Sequence, residues 1–143
     1  MSRKGVLPTV SKTTRSARRR KVPTIILVDD DFHFRQALRR LLQENGMNVT
    51  SFERPSEVLL SRLPTAEPVL ILDMWMPEMT GVGLWKELNK RGFALPTILI
   101  TGQQEERATL FGEEIGAVDV LFKPLEEKTL LEAITRALAG TKD

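Results

Sequence analysis

A short apolar run that stops at a carboxylate constrains the fold of this chain most strongly. Residues 69–72 read Val-Leu-Ile-Leu, and Asp73 follows at once, before Trp75 and Met76-Pro77. An unbroken apolar run bounded by turn-forming residues is typical of a strand buried on both faces, as in a parallel sheet. Ligands of open α/β sheets collect beyond the carboxyl ends of the strands, so Asp73 is a candidate functional residue. The alternative interpretation is an aspartate that merely begins a turn.

Four further apolar runs repeat this pattern, and amphipathic segments alternate with them. In the first amphipathic segment Phe34, Leu38 and Leu41 have helical spacing, and Arg35 and Arg39 are predicted to lie on the opposite face. Strands that alternate with helices predict an α/β fold: a doubly wound, five-stranded parallel sheet with right-handed crossovers and helices on both faces. The predicted strands are 24–28, 47–52, 69–72, 95–100 and 118–122, and the predicted helices end at Asn45-Gly46, before Pro64, at Gly92, at Gly116 and near Ala139.

The charge of the chain is segregated. Residues 1–22 carry eight basic side chains and no acidic one, which leaves 13 basic and 19 acidic side chains to the rest. The segment has no apolar periodicity, so we predict a disordered basic tail over 1–22 and one acidic domain over 23–143. The tail could contact nucleic acid, an acidic protein or anionic lipid, and its composition also fits a solubilising extension, a misassigned start or a transit peptide.

Several classes of function are excluded by composition. The chain has no cysteine, so thiolate metal sites, disulfides and a cysteine nucleophile are ruled out, and a cytoplasmic location is expected. The longest apolar runs are far shorter than the roughly 20 residues needed to span a membrane, so no membrane partner is expected. The chain lacks the glycine-rich phosphate-binding loops of nucleotide-binding proteins. Its one histidine, His33, is predicted to lie on the surface of the first helix.

Polar side chains stand at the ends of four predicted strands. Asp29 and Asp30 follow the first strand, Asp73 the third, Thr101 the fourth and Lys123 the fifth. These ends share one edge of a parallel sheet, so the side chains converge. Three neighbouring carboxylates would repel one another unless a cation lies among them, and oxygen ligands together with water suit Mg²⁺. With a lysine and a hydroxyl donor, the set matches what a transferring phosphoryl group requires.

These motifs resemble the receiver domain of two-component response regulators. The resemblance covers about 23–139 and implies the flavodoxin-like (βα)5 fold. It is carried by Leu27-Val28-Asp29-Asp30-Asp31, Leu72-Asp73-Met74-Trp75-Met76-Pro77-Glu78-Met79-Thr80-Gly81, Ile100-Thr101-Gly102, and Gly116-Ala117-Val118-Asp119 through Lys123-Pro124.

The resemblance implies a role for each residue that matches a motif. Asp73 would be the phosphoacceptor, attacking the phosphohistidine of a sensor histidine kinase, a phosphotransfer protein or a small phosphodonor. Asp30 would ligate Mg²⁺ directly and Asp29 through water. Asp73 and the backbone carbonyl of Trp75 would complete the ligands from the protein. The implied activity would be that of a signalling phosphoacceptor rather than of an enzyme.

Two further residues would transmit the phosphorylated state. Lys123 would pair with the phosphoryl oxygens, and the peptide before Pro124 is expected to be cis. Thr101 would hydrogen-bond the aspartyl phosphate and reshape the face of the fourth helix, fifth strand and fifth helix, where receivers meet downstream partners. One position departs from the family: the switch aromatic three residues before the lysine is replaced by Val120. Trp75, two residues after the acceptor, is expected to shield the aspartyl phosphate.

Two classes of function remain open. The first is a stand-alone receiver that signals by protein contact with no output domain. The second is a binding module independent of phosphorylation, in which the basic tail contacts nucleic acid or an acidic partner. The acidic set together with Thr101 and Lys123 favours the first, whereas salt-dependent DNA binding that is lost on deleting residues 1–22 would favour the second.

Overall fold

The structure is a computed structural model that describes residues 22–64, 66, 68–102 and 106–140. The strands are β1 Thr24–Val28, β2 Asn48–Phe52, β3 Pro68–Asp73, β4 Thr97–Thr101 and β5 Asp119–Phe122. All five are parallel and form one sheet with the spatial order β2-β1-β3-β4-β5. The predicted α/β architecture is therefore confirmed.

Five helices connect or follow the strands, and most of their predicted ends lie close to the observed ones. The helices are α1 Phe32–Glu44, α2 Pro55–Leu60, α3 Gly81–Lys90, α4 Glu106–Ile115 and α5 Glu127–Ala139. Helix α1 ends at the predicted Asn45-Gly46, where Gly46 has a φ of 82°. Helix α2 ends at Leu60, well before the predicted Pro64.

The core has two halves, one on each face of the sheet. Successive residues of β1 alternate between them: Ile25 and Leu27 face α1 and α5, whereas Ile26 and Val28 face α2, α3 and α4. Every residue of β1 and β4 is buried, as expected for strands covered on both faces. Among the described helices, none is both long and apolar enough to cross a bilayer.

One predicted surface position on α1 is wrong. Arg39 is exposed, as expected, but Arg35 is buried with only 8% of its surface exposed. Its guanidinium lies over the ring of Phe32, with the central carbon 5.5 Å from the ring centroid. Because a long helical side chain leans toward the helix N-terminus, Arg35 reaches back to the end of β1 rather than out to solvent.

Helix α4 packs closely against β5 at Gly112. A β-carbon added at Gly112, in the middle of α4, would collide with the Cγ2 methyl of Val120. Glycine costs helix stability relative to alanine, so its presence here is explained by this contact. The close packing places α4 directly against Val120, the position at which the resemblance implies an aromatic side chain.

Candidate functional site

Three aspartates form an acidic cluster at the carboxyl edge of the sheet. Asp29 and Asp30 follow β1 and Asp73 ends β3, two adjacent strands between which the chain order of the sheet reverses. Carboxylate oxygens of the three residues lie within 4.8 Å of one another. Asp29 and Asp73 are buried, whereas Asp30 is exposed, so the cluster opens to solvent on one side.

Burial makes both interior carboxylates reluctant to ionise. The pKa of Asp73 is raised to about 7, first by burial and then by the negative charge of Asp29, while the Lys123 ammonium opposes the shift. The pKa of Asp29 is also raised by burial, against the hydrogen bonds from Lys123 and from the Asp31 backbone N–H. A divalent cation among these oxygens would favour the ionised carboxylates and so lower both pKa values.

Lys123 follows β5 and reaches into the acidic cluster. Its Nζ lies 2.8 Å from Asp29 Oδ2 and 3.9 Å from Asp73 Oδ1. The same ammonium lies 4.2 Å from the centroid of the Phe34 ring, which covers it from α1. The peptide between Lys123 and Pro124 is cis, as the resemblance predicts.

Thr101 is the last residue of β4 and is fully buried. It pairs in register with Phe122, and its carbonyl accepts a 2.8 Å hydrogen bond from the Lys123 backbone N–H. These strand ends fix Thr101 at the same edge as Lys123. Gln103, two residues after Thr101, lies outside the described residues.

The loop after Asp73 is held by a close backbone contact at Gly81 and by hydrogen bonds between Glu78 and α2. The Gly81 N–H donates to the Met74 carbonyl at 2.8 Å, and a β-carbon at Gly81 would collide with the Asp73 carbonyl oxygen. Glu78 adopts a φ of 79°, and its carboxylate accepts hydrogen bonds of 3.1 Å from both the backbone N–H and the hydroxyl of Ser56 on α2. Only glycine fits at 81, and the loop is anchored to a second helix.

Trp75 turns its ring toward α4. The ring meets Phe111 edge-on at a centroid distance of 6.3 Å, and the Arg107 guanidinium lies 5.6 Å from its centroid. The buried indole Nε1 has no hydrogen-bond partner among the described residues. Trp75 therefore links the loop after Asp73 to α4, a contact that the sequence alone did not indicate.

The acidic cluster fits a magnesium ion. It offers oxygen ligands only, on two rigid strand ends, with one exposed side through which water could complete the coordination. The pKa values of Asp29 and Asp73 are raised because burial and mutual repulsion disfavour the ionised carboxylates, and a cation would offset this repulsion. His33, by contrast, is exposed and stacks edge-on with Phe32, so nothing in its surroundings indicates a role in the site.

Comparison with known proteins gives one consistent family. The family model of the response regulator receiver domain matches residues 25–135. Nodulation protein W of Bradyrhizobium diazoefficiens is 33% identical over 113 residues, which cover 79% of this chain and 50% of that protein. The transcriptional regulatory protein FixJ of Rhizobium meliloti is 33% identical over 114 residues, or 80% of this chain and 56% of that protein. The chain thus spans about half the length of these relatives.

Solved structures agree with the sequence relatives. FixJ-N superposes with a TM-score of 0.78 at 31% identity, covering 87% of this chain and 99% of the other. The response regulator StyR superposes with a TM-score of 0.76 at 37% identity, covering 83% of this chain and 60% of the other. A CheY-like receiver domain protein of Methanospirillum hungatei, at 24% identity and a TM-score of 0.75, shares the fold.

Proposed function

The chain belongs to the response regulator receiver domain family of two-component signalling systems, and on that premise we propose that Asp73 is its phosphoacceptor. Receiver domains are signalling phosphoacceptors that bind Mg²⁺ at an acidic pocket and interact with histidine kinases and downstream targets. The observation that carries the proposal is the position of the Asp73 carboxylate, which ends β3 within 4.8 Å of Asp29 and Asp30 and within 3.9 Å of the Lys123 ammonium.

Three carboxylates and a backbone carbonyl would hold the cation. Asp30, the exposed member of the cluster, and Asp73 would be the direct ligands. Asp29 is buried and already paired with Lys123, so it would act through a water. The Trp75 carbonyl, in the loop held by Gly81, would complete the set. Bound Mg²⁺ would neutralise the charge that develops on the phosphoryl oxygens.

The reaction transfers a phosphoryl group to Asp73. An ionised oxygen of Asp73 attacks phosphorus in line, the new O–P bond forms as the N–P bond to the kinase imidazole breaks, and the released imidazole takes a proton from water. Lys123 lies 3.9 Å from Asp73, close enough for its ammonium to move onto the arriving phosphoryl oxygens. The Thr101 hydroxyl donates to another of those oxygens. The donor is a sensor histidine kinase or a phosphotransfer protein in the cytoplasm.

The downstream face is the surface of α4, β5 and α5. Val120 on β5 is too small to follow Thr101 inward as an aromatic side chain would, so the usual coupling is absent at this position. The contact of Trp75 with Phe111 supports a direct path from the phosphoacceptor loop to α4. Phosphorylation would then reach the partner face through helix α4.

The basic tail is a second, separate proposal. The boundary between a tail over 1–22 and a domain over 23–143 remains a prediction, because residues 1–21 lie outside the described part of the chain. The eight basic side chains of residues 1–22 support binding to nucleic acid or to an acidic partner. A fall in DNA affinity with rising salt that disappears on deleting residues 1–22 would show this function independently of Asp73.

The decisive experiment measures intact-protein mass after incubation with acetyl phosphate. We expect wild type to gain one phosphoryl group in the presence of Mg²⁺ and to gain none after EDTA is added. Asp73→Asn should show no adduct. Asp31→Asn is the matched control, because Asp31 lies in the adjacent loop but is exposed and caps α1 through a 3.1 Å bond from the Phe34 N–H. An adduct on Asp73→Asn, or none on wild type at any Mg²⁺ concentration, would refute the proposal.

A further inference from the structure

Arg35 is a buried cation beside the acidic site, although it belongs to a helix whose other arginines face solvent. Only 8% of its surface is exposed, whereas Arg39, one turn later on α1, is exposed. Burying a guanidinium is costly unless it is hydrogen-bonded, so its partner indicates what the residue does. That partner is the backbone of the acidic loop.

The guanidinium binds the carbonyl between two proposed metal ligands. Arg35 Nη1 donates a hydrogen bond of 2.7 Å to the Asp29 carbonyl oxygen. This carbonyl belongs to the peptide that joins Asp29 to Asp30, so the bond fixes the orientation of the peptide plane. A hydrogen bond from a charged donor in a buried setting is among the stronger ones available to a protein.

The other polar groups of this turn are held as well. The Asp29 N–H donates to the Phe52 carbonyl at 3.1 Å, and Asp29 Oδ1 accepts from the Asp31 N–H at 2.8 Å. The Asp31 carbonyl accepts from the Arg35 backbone N–H at 2.9 Å. The backbone on both sides of Asp30 is therefore held by hydrogen bonds, and the Arg35 side chain supplies the bond to the Asp29 carbonyl.

We propose that Arg35 is a positioning residue for the divalent-cation site, which fixes the Asp29–Asp30 peptide so that the Asp30 carboxylate is presented to the cation together with Asp73. The inference rests on the proposed function of the acidic cluster. Arg35 touches neither the cation nor the phosphoryl group; it acts through a backbone carbonyl. Without it, the buried carbonyl loses its donor and the peptide can rotate, which moves Asp30 away from the other carboxylates.

The test compares Mg²⁺ affinity in variants that differ only in the donor. Arg35→Met keeps the length and apolar stem of the side chain but has no donor, and Arg35→Lys restores one charged donor without the planar fork. Arg39→Met is the matched control from the exposed face of α1. All are made in a Trp85→Phe background, which leaves Trp75, two residues from Asp73, as the reporter of Mg²⁺ binding by fluorescence.

We expect Arg35→Met to raise the Mg²⁺ dissociation constant by about tenfold, as is typical when an outer contact of a metal ligand is lost. Arg35→Lys should have a dissociation constant between those of Arg35→Met and wild type, and Arg39→Met should leave the dissociation constant unchanged. The rate of phosphorylation by acetyl phosphate should fall for Arg35→Met at low Mg²⁺ and return toward wild type at saturating Mg²⁺. Circular dichroism at the assay temperature establishes that each variant is folded.

A lower thermal midpoint for Arg35→Met with an unchanged Mg²⁺ dissociation constant would overturn the proposal, because the bond would then serve folding alone. If Arg35→Met does not fold, the Mg²⁺ dissociation constant of Arg35→Lys is compared with that of wild type instead. We expect weaker binding in Arg35→Lys, and unchanged binding would contradict the proposal. The fluorescence readout does not require phosphorylation, so a failure of Asp73 to accept a phosphoryl group is detected separately.

Discussion

The Lys123 ammonium is closer to Asp29 than to the proposed phosphoacceptor: its Nζ lies 2.8 Å from Asp29 Oδ2 and 3.9 Å from Asp73 Oδ1. The lysine thus stabilises a buried aspartate. A phosphoryl group on Asp73, the acceptor that we propose, would give the same ammonium a stronger anionic partner. Lys123 would then stabilise the unphosphorylated fold in one position and the phosphorylated state in another.

Loss of the Lys123 charge should affect both stability and phosphorylation. We expect Lys123→Met to lower the free energy of unfolding by about 3 kcal/mol at pH 8, because Asp29 would be left buried without its cation. The double variant Asp29→Asn with Lys123→Met should recover part of this loss. Urea denaturation measures both effects. Lys128→Met, on the exposed face of α5, is the control and should change neither stability nor phosphorylation by acetyl phosphate.

Stability without metal should fall as pH rises. The folded-state pKa of Asp73 is raised to about 7 from an ordinary value of 3.8, so the folded protein binds this proton more tightly than the unfolded chain does. The stabilisation is complete below the unfolded pKa and is lost as pH rises through about 7. The loss for Asp73 amounts to at most about 4 kcal/mol between pH 4 and 8, and Asp29 shifts in the same direction.

Urea midpoints in EDTA at pH 5.5 and pH 8 test this dependence. Wild type should lose stability between the two pH values, and Asp73→Asn should lose less, because its amide does not titrate. Added Mg²⁺ should restore wild type at pH 8 and have a smaller effect at pH 5.5, where protons compete for the carboxylates. A wild-type stability that rises from pH 5.5 to pH 8 would show that another group dominates.

Trp75 should govern how long the aspartyl phosphate survives. Trp75 lies two residues after Asp73, and its ring contacts Phe111 and Arg107. In this position it can exclude the water that hydrolyses the phosphate. We expect Trp75→Ala to shorten the half-life of phosphorylated Asp73 by roughly three- to tenfold, a change of about 1 kcal/mol in the barrier. Decay of the phosphorylated mass gives the half-life. Trp85→Ala is the control, and an unchanged half-life for Trp75→Ala would reject the shielding role.

Gly81 should tolerate no side chain. A β-carbon there meets the Asp73 carbonyl oxygen, a backbone atom that cannot move without displacing the acceptor. We expect Gly81→Ala to lower the free energy of unfolding by about 2 kcal/mol or more and to weaken Mg²⁺ binding. Gly140→Ala, at the exposed end of α5, has only ordinary contacts and should be close to neutral. Equal stability of the two variants, measured by thermal denaturation, would contradict this account of the loop.

The sequence predicted the sheet, its order of elements and the edge at which the site lies. It could do so because parallel strands bring their carboxyl ends together, which places Asp29 and Asp73 side by side once β1 and β3 are adjacent. The predicted start of β4 at residue 95 was two residues early, since Pro96 has no backbone N–H to donate and β4 begins at Thr97. Strand ends shift by such local chemistry without moving the site.

The contacts that the sequence did not predict are made by long side chains. Helical spacing assigns Arg35 to the face of Arg39, but spacing describes where a side chain starts and not where its charged end lies. The contact of Trp75 with Phe111 depends on how α3 and α4 pack on the sheet, which no local pattern encodes. Both residues connect the acidic cluster to a helix.

The close packing of Gly112 on Val120 makes these two positions a matched pair. The ring of a switch aromatic at 120 would have to occupy space that α4 already fills, and a larger residue at 112 would push the helix away from β5. Introducing an aromatic residue at 120 would therefore require more than one substitution. Helix α4 would have to move outward together with Phe111, which contacts Trp75, so the proposed route from Trp75 to α4 would change as well.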